Sequence, residues 1–348
     1  MVAGGTGGHI YPALTLAEAL IQKGHRITFI GSNDRMEKDV IPARGFEYIG
    51  LNVYTTRGGI FQKVKSLLSI AKAYFDCQKL LKGYDMAIGF GNYISVPVME
   101  AAAKLHLKTV IHEQNSFVGR ANRMLDEKVD LIIGSYEENL KQFKNRNTKI
   151  LGNPQSSKAY EVKKDEKVLK DLGLDPKKKT VVIFMGSLGS SSVNEKLYEY
   201  FPMTDGSYQI IFATGASHYK EALEKVKQND HLKVFERIDG INVMKNSTLL
   251  VCRAGATTLS EICAIGMPAI LIPSPFVPNN HQYYNGKALT DKNAALMIEE
   301  KDLSAEKLNA LINSVINDEE KLKTLSENAA KLGNPNVLND IVEAIEKL

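Results

Sequence analysis

The chain has 348 residues, 44% of them hydrophobic and 24% charged, with a formal net charge of +4 at pH 7. At about 150 residues per domain this length suggests two domains, and the composition is that of a globular protein rather than a disordered or fibrous one. No apolar run reaches the roughly 18 residues that cross a bilayer, no basic-then-apolar leader is visible, and so modest a charge gives no argument for nucleic acid. Cys77, Cys252 and Cys263 are dispersed, form no CxxC pair and read as buried structural thiols.

The chain opens on Gly4-Gly5-Thr6-Gly7-Gly8-His9. Glycines let a ligand approach the backbone, and a turn at a helix start gathers unpaired N–H groups under a favourable dipole. A helix is expected over Pro12–Lys23, with Pro12 in its first turn and Gly24 as its stop. The dinucleotide pattern fails here, because Ile10 stands where its last glycine should be and Asp34 lies beyond the tip of the next strand. His9 falls at the loop-to-helix junction, where an imidazole can accept a proton from an attacking hydroxyl.

Short β-branched runs then alternate with amphipathic stretches, the pattern of parallel α/β folds. Strands are expected at Arg26–Gly31, Met86–Phe90, Thr109–His112 and Leu131–Ser135. Between the first two, Arg57–Lys82 intersperses Lys63, Lys65, Lys72, Lys79 and Lys82 with Phe61, Leu67, Leu68, Ile70, Tyr74 and Phe75. Such a basic amphipathic segment suits an anionic membrane surface, and also suits a domain helix with a solvated lysine face. The turn triplet Gly152-Asn153-Pro154 marks a boundary, so the expected domains are 1–153 and 154–335.

The second half repeats the opening. A strand at Thr180–Met185 runs into Gly186-Ser187-Leu188-Gly189-Ser190, and further strands follow at Tyr208–Thr214, Leu249–Cys252 and Ala269–Pro273. After Leu249–Cys252 comes Arg253-Ala254-Gly255-Ala256-Thr257-Thr258-Leu259-Ser260-Glu261. Gly255 should start a helix whose N–H groups meet a diphosphate, with hydroxyls from Thr257 and Thr258. Glu261, about one turn on, can accept hydrogen bonds from both ribose hydroxyls. Asn336–Leu348 reads as a helix packing back on the first domain.

The ordered set Gly4–Pro12, His112-Glu113-Gln114-Asn115, Gly152-Asn153-Pro154, Gly186-Ser187-x-Gly189, Arg253–Glu261 and Asn280-His281-Gln282…Asn285 resembles the MurG family across nearly the whole chain. The resemblance implies a GT-B fold, two Rossmann-like parallel-sheet domains facing a cleft. It implies inverting transfer of N-acetylglucosamine from UDP-GlcNAc to lipid I, undecaprenyl-diphospho-muramoylpentapeptide, at the cytoplasmic face of the bacterial membrane. By the same resemblance Ser187 contacts the diphosphate, Ile238 borders the uracil, Ala256 to Glu261 hold the nucleotide, and His281 and Gln282 contact the sugar. Thr6, Gly7, Gly8 and Asn115 line the opposite wall, with His9 as first and Glu113 as second candidate base. UDP departure would be stabilised by helix N-termini, so no metal or other cofactor is expected. Other readings are a different GT-B glycolipid transferase and a silent sugar-nucleotide-binding protein.

Three departures stand out. Gln155-Ser156 replaces an expected Arg after the Gly-Asn-Pro triplet, and Asn92 replaces a second glycine after Gly91. Only Met1-Val2-Ala3 precedes the first glycine loop where a full strand is expected, as a trimmed or misassigned start, or an edge strand that is mostly absent, would explain.

Overall fold

The computed structural model describes residues 1–54, 60–186 and 189–348, with backbone alone for 60–63. The chain divides into two compact units, Met1–Ser157 with Asn336–Leu348, and Lys158–Pro335.

The first unit is built on parallel strands β1 (Thr28–Ser32), β2 (Glu47–Leu51), β3 (Met86–Gly89), β4 (Lys108–Glu113), β5 (Leu131–Gly134) and β6 (Thr148–Ile150). The leading segment corrects the expectation of a missing edge strand. Val2 bridges Ile30 on one side and Gly89 on the other, both parallel. Its N–H donates to Ile88 O at 2.8 Å, and its carbonyl accepts from Phe90 N at 2.9 Å. Residues 1–3 therefore lie at the centre of the sheet, giving the order β2, β1, 1–3, β3, β4, β5, β6. Three residues suffice because pairing on both edges satisfies their backbone groups, and Val2 and Ala3 are buried.

Helix α1 (Gly7–Gln22) begins earlier than expected, which corrects the placing of Pro12. Thr6 is extended at φ −145° and ψ 157° and serves as N-cap, so Gly7 and Gly8 enter the first turn and Pro12 lies inside the helix. Pro12 has no N–H to give the Gly8 carbonyl. The helix stops at Gly24, whose φ of +92° favours glycine. After β1 come α2 (Glu37–Val40), α3 (Ile60–Leu80) and α4 (Ser95–Lys104). Ile10, Leu14, Leu16 and Leu20 of α1 share a buried cluster with Phe29, Ile88, Val110, Ile133 and the apolar face of the C-terminal helix Val337–Glu346. That face follows an i, i+4, i+8 pattern at Val337, Ile341 and Ile345, and burying it keeps the helix in this unit.

The second unit carries β7 (Thr180–Phe184), β8 (Gln209–Ala213), β9 (Leu232–Phe235), β10 (Leu249–Cys252), β11 (Ala269–Leu271) and β12 (Leu296–Met297), all parallel in the order β12-β11-β10-β7-β8-β9. Strands β7, β8 and β10 are buried almost throughout, as strands covered on both faces must be.

In each unit the strand order reverses once, between residues 1–3 and β3, and between β7 and β10. Such switch points open a crevice beyond the carboxyl ends of the strands. Gly4–His9 and Gly91-Asn92 flank the first. Gly186, Gly189-Ser190 and Arg253–Gly255 flank the second.

Candidate functional site

At the first switch point, Gly5 has φ +88°, and a Cβ there would sit 1.9 Å from Asn92 Nδ2, so only glycine fits. Thr6 Oγ1 meets His9 Nδ1 at 3.0 Å. With Nδ1 protonated and donating to Thr6, Nε2 presents its lone pair, the arrangement a general base needs. The His9 ring lies against Gly91, where a Cβ would come 3.4 Å from His9 Cδ2. Thr6 and Gly8 are exposed, and Gly7 and His9 are half-buried.

His112, Glu113, Gln114 and Asn115 close β4 and turn inward. His112 stacks on Phe90 with ring centroids 5.3 Å apart and donates from Nε2 to Gly152 O at 3.0 Å, while its buried Nδ1 has no partner among the described residues. Burial holds its pKa down to about 4; the Gly152 bond opposes the lowering and nearby His9 adds to it. The Glu113 carboxylate is buried and fully engaged. Oε1 accepts from Asn115 N at 3.0 Å and Asn115 Nδ2 at 3.3 Å; Oε2 accepts from Gly119 N and Asn122 Nδ2, both at 2.9 Å. Burial raises its pKa and outweighs these donors, which pull it down. With four donors aimed at it, Glu113 is built to bracket the 115–122 loop. Asn122, unremarkable in the sequence, closes the bracket and also donates to His112 O at 3.0 Å.

The departures from the family pattern have definite places. Asn92 adopts the left-handed φ of +68° that a glycine would take. Gln155 Oε1 accepts from Thr15 Oγ1 of α1 at 2.8 Å, and Ser156 Oγ donates to Asn153 O at 2.8 Å, so both are engaged within the first unit.

At the second switch point two helices start, α5 (Ser191–Tyr200) and α6 (Ala256–Ile265), the latter with extended Gly255 as N-cap. Gly189 has φ +76°, and a Cβ there would meet Thr214 O at 2.1 Å. Ser187 lies outside the described residues. Thr257 keeps a buried hydroxyl without a hydrogen-bond partner among the described residues, and Ala256, Thr258 and Glu261 are half-buried. Leu259 is fully buried in the core, and Ser260 Oγ donates back to Thr257 O at 2.7 Å. Half-buried Ile238 follows β9. Helix α7 (His281–Thr290) begins after Asn279 and Asn280, both left-handed at φ 54° and 51°. His281 Nδ1 pairs with Pro278 O at 2.9 Å, and burial lowers its pKa against that bond. Gln282 Oε1 accepts from Ser274 N at 2.8 Å, leaving its amide N–H groups for a ligand.

Arg253 ties this region together. Its Nη2 donates to Ser190 Oγ at 2.6 Å, and its Nη1 reaches Ile272 O at 3.1 Å and Glu300 Oε2 at 2.6 Å. Glu300 Oε1 in turn accepts from Ser192 Oγ at 2.5 Å. Glu300 lies far from any motif, and no spacing rule points to it.

Paired parallel-sheet units, each with a glycine loop and helix starts at its switch point, are the architecture of GT-B glycosyltransferases. Residues 1–133 match the glycosyltransferase family 28 N-terminal domain, and residues 180–341 match the family 28 C-terminal domain. The chain is 37% identical, over 99% of its length and 96% of the relative's, to the UDP-N-acetylglucosamine--N-acetylmuramyl-(pentapeptide) pyrophosphoryl-undecaprenol N-acetylglucosamine transferase of Halothermothrix orenii. It is 35% identical to the enzyme of that name from Caldanaerobacter subterraneus, over 99% and 98% of the two chains. The crystal structure of Acinetobacter baumannii MurG superposes with a TM-score of 0.80 at 24% identity, covering 100% of this chain and 98% of that one. The chain belongs to this MurG family of N-acetylglucosamine transferases.

Proposed function

We propose that the chain transfers N-acetylglucosamine from UDP-GlcNAc to the muramoyl 4-hydroxyl of undecaprenyl-diphospho-muramoylpentapeptide, converting lipid I to lipid II with inversion. The observation that carries this reading is the full-length similarity to relatives bearing that name, joined to two switch-point loop sets of matching motif. In a single displacement, the acceptor oxygen attacks the anomeric carbon, the new β-1,4 glycosidic bond forms and the bond to the diphosphate breaks. His9 Nε2 takes the hydroxyl proton, and Thr6 Oγ1 fixes its ring through Nδ1. UDP leaves with its charge met by the N-termini of α5 and α6 and the hydroxyls of Thr257 and Thr258, with Ser187 on the diphosphate. Glu261 holds the ribose, Ile238 borders the uracil, Ala256 contributes backbone N–H at the helix start, and His281 and Gln282 hold the sugar, while the Leu259 N–H is already taken by Gly255 O. Thr6, Gly7, Gly8 and Asn115 line the acceptor side. Glu113 sets the Asn115 loop instead of moving the proton, since all four of its donors are already seated.

The protein acts as a peripheral enzyme on the anionic inner leaflet, in cell-wall synthesis and hence in cell shape and division, with no nucleic-acid partner. Among the described residues no helix is long and apolar enough to cross a membrane. Helix α3 supports surface attachment: Leu67, Leu68 and Phe75 are 63%, 67% and 62% exposed beside Lys65, Lys72 and Lys79. Ile70 and Tyr74 pack inward instead, while the side chains of Phe61 and Lys63 lie outside the described residues. Each basic residue near the surface adds about 1 kcal/mol of attraction. Flotation with anionic liposomes should carry the protein upward, and Leu67→Ser/Leu68→Ser/Phe75→Ser should stay at the bottom. Equal recovery of both would remove α3 from the membrane contact. Transfer itself is tested by isolating the disaccharide product from labelled UDP-GlcNAc and a soluble lipid I analogue.

A further inference from the structure

The first glycine loop is held from two sides by side chains that the transfer reaction does not use. Glu37, at the start of α2, is fully buried. Its Oε2 accepts the Gly5 N–H at 3.0 Å, while Oε1 accepts the N–H and hydroxyl of Ser32 at 3.2 and 2.5 Å. From the other side Asn92 donates its amide to Gly4 O at 2.8 Å and accepts from Tyr93 N at 2.6 Å. There is no slack in this contact: a Cβ on Gly4 would lie 2.4 Å from Glu37 Oε1.

Glycine turns at helix starts draw anions because their N–H groups converge. At Gly5 the chain supplies the anion itself. The braced backbone runs directly into Thr6 and His9, and Gly91, next to Asn92, forms the surface on which the His9 ring rests. A shift of the loop would therefore carry His9 with it.

We infer that Glu37 and Asn92 are positioning residues for His9, and that the Glu37 carboxylate, not a ligand phosphate, is the anion at the Gly5 amide. The effect on turnover rests on the proposed role of His9; the identity of the anion does not.

Both parts are testable on the full chain with glycine-selective ¹⁵N labelling. Titration with sodium pyrophosphate should leave the Gly5 amide resonance of the parent in place. Glu37→Gln should move that resonance, because a charged acceptor is lost, and Glu37→Ala should let pyrophosphate or formate shift it saturably. In the transfer assay, Glu37→Gln and Asn92→Gly should each lower kcat roughly 10- to 100-fold, as small displacements of catalytic groups do, with the KM for UDP-GlcNAc within about twofold of the parent. A parent Gly5 amide that titrates with pyrophosphate would overturn the built-in anion. Full kcat in Asn92→Gly, or in a folded Glu37→Gln, would overturn the positioning role. Absence of transfer by the parent would sink the proposed function instead, and the Gly5 titration would still decide the anion.

Discussion

Replacing Glu113 by Gln separates a bracket from a base. The carboxylate has two donors on each oxygen, and glutamine keeps one oxygen while turning an NH₂ toward the other pair. Two buried N–H groups then face a donor, at about 1–3 kcal/mol each. Burial already opposes the charge, as the raised pKa shows, so removing it returns part of that cost. The net expectation is a loss of about 3 kcal/mol at the 115–122 loop, or roughly 100-fold faster local opening. Hydrogen exchange at the Gly119 amide reads this directly, since among the described residues it donates to Glu113 Oε2 alone. Turnover should fall less than for His9→Ala, with its pH dependence unchanged. If Gly119 exchanged at the parent rate while turnover dropped about 1,000-fold or more, Glu113 would be doing proton chemistry and the bracket reasoning would be refuted.

Two further outcomes follow from buried charges. The folded-state pKa of His112, about 4, lies below the ordinary 6.5, so the unfolded chain binds that proton first. Its contribution is complete above pH 6.5 and is lost as pH falls toward 4, reaching about 3 kcal/mol at 1.36 kcal/mol per pH unit. Glu113 acts with the opposite sign, because its raised pKa makes the folded state bind the proton first, so stability from it grows as pH falls. Comparing His112→Gln with the parent pH by pH isolates the histidine: the gap between their urea midpoints should narrow from pH 7 to 4.5, and a constant gap would contradict the assignment. In the second unit, Glu300→Gln leaves the Arg253 guanidinium buried and should cost about 3 kcal/mol. It should also raise the KM for UDP-GlcNAc by freeing Ser190, whereas unchanged denaturation and KM would show that the pair does not brace the loop.

The alternation of strands and helices was legible because β-branched runs are local, and both glycine loops announced themselves through composition. What escaped was non-local. Residues 1–3 are too short to show periodicity, and their central place depends on Ile30, Ile88 and Phe90, brought up by pairing on both edges. Pro12 misled because proline marks a helix start only when glycines do not extend the helix ahead of it. Glu37 reaches Gly5 across 32 residues, Asn92 reaches Gly4 across 88, and Glu300 reaches Ser192 across 108. In sequence each looks like an ordinary polar residue. Leu259 and Ser260 illustrate the converse, since both fall inside a binding motif yet their side chains are spent on the core and on their own helix.

The most direct test is UDP release from UDP-GlcNAc by the purified chain, with and without a soluble lipid I analogue, alongside His9→Ala. Acceptor-dependent release by the parent is expected, with a loss of roughly 100-fold or more in His9→Ala, the scale of general-base catalysis, and with UDP-GlcNAc binding retained. Donor binding without acceptor-dependent release, or full turnover by His9→Ala, would contradict this expectation.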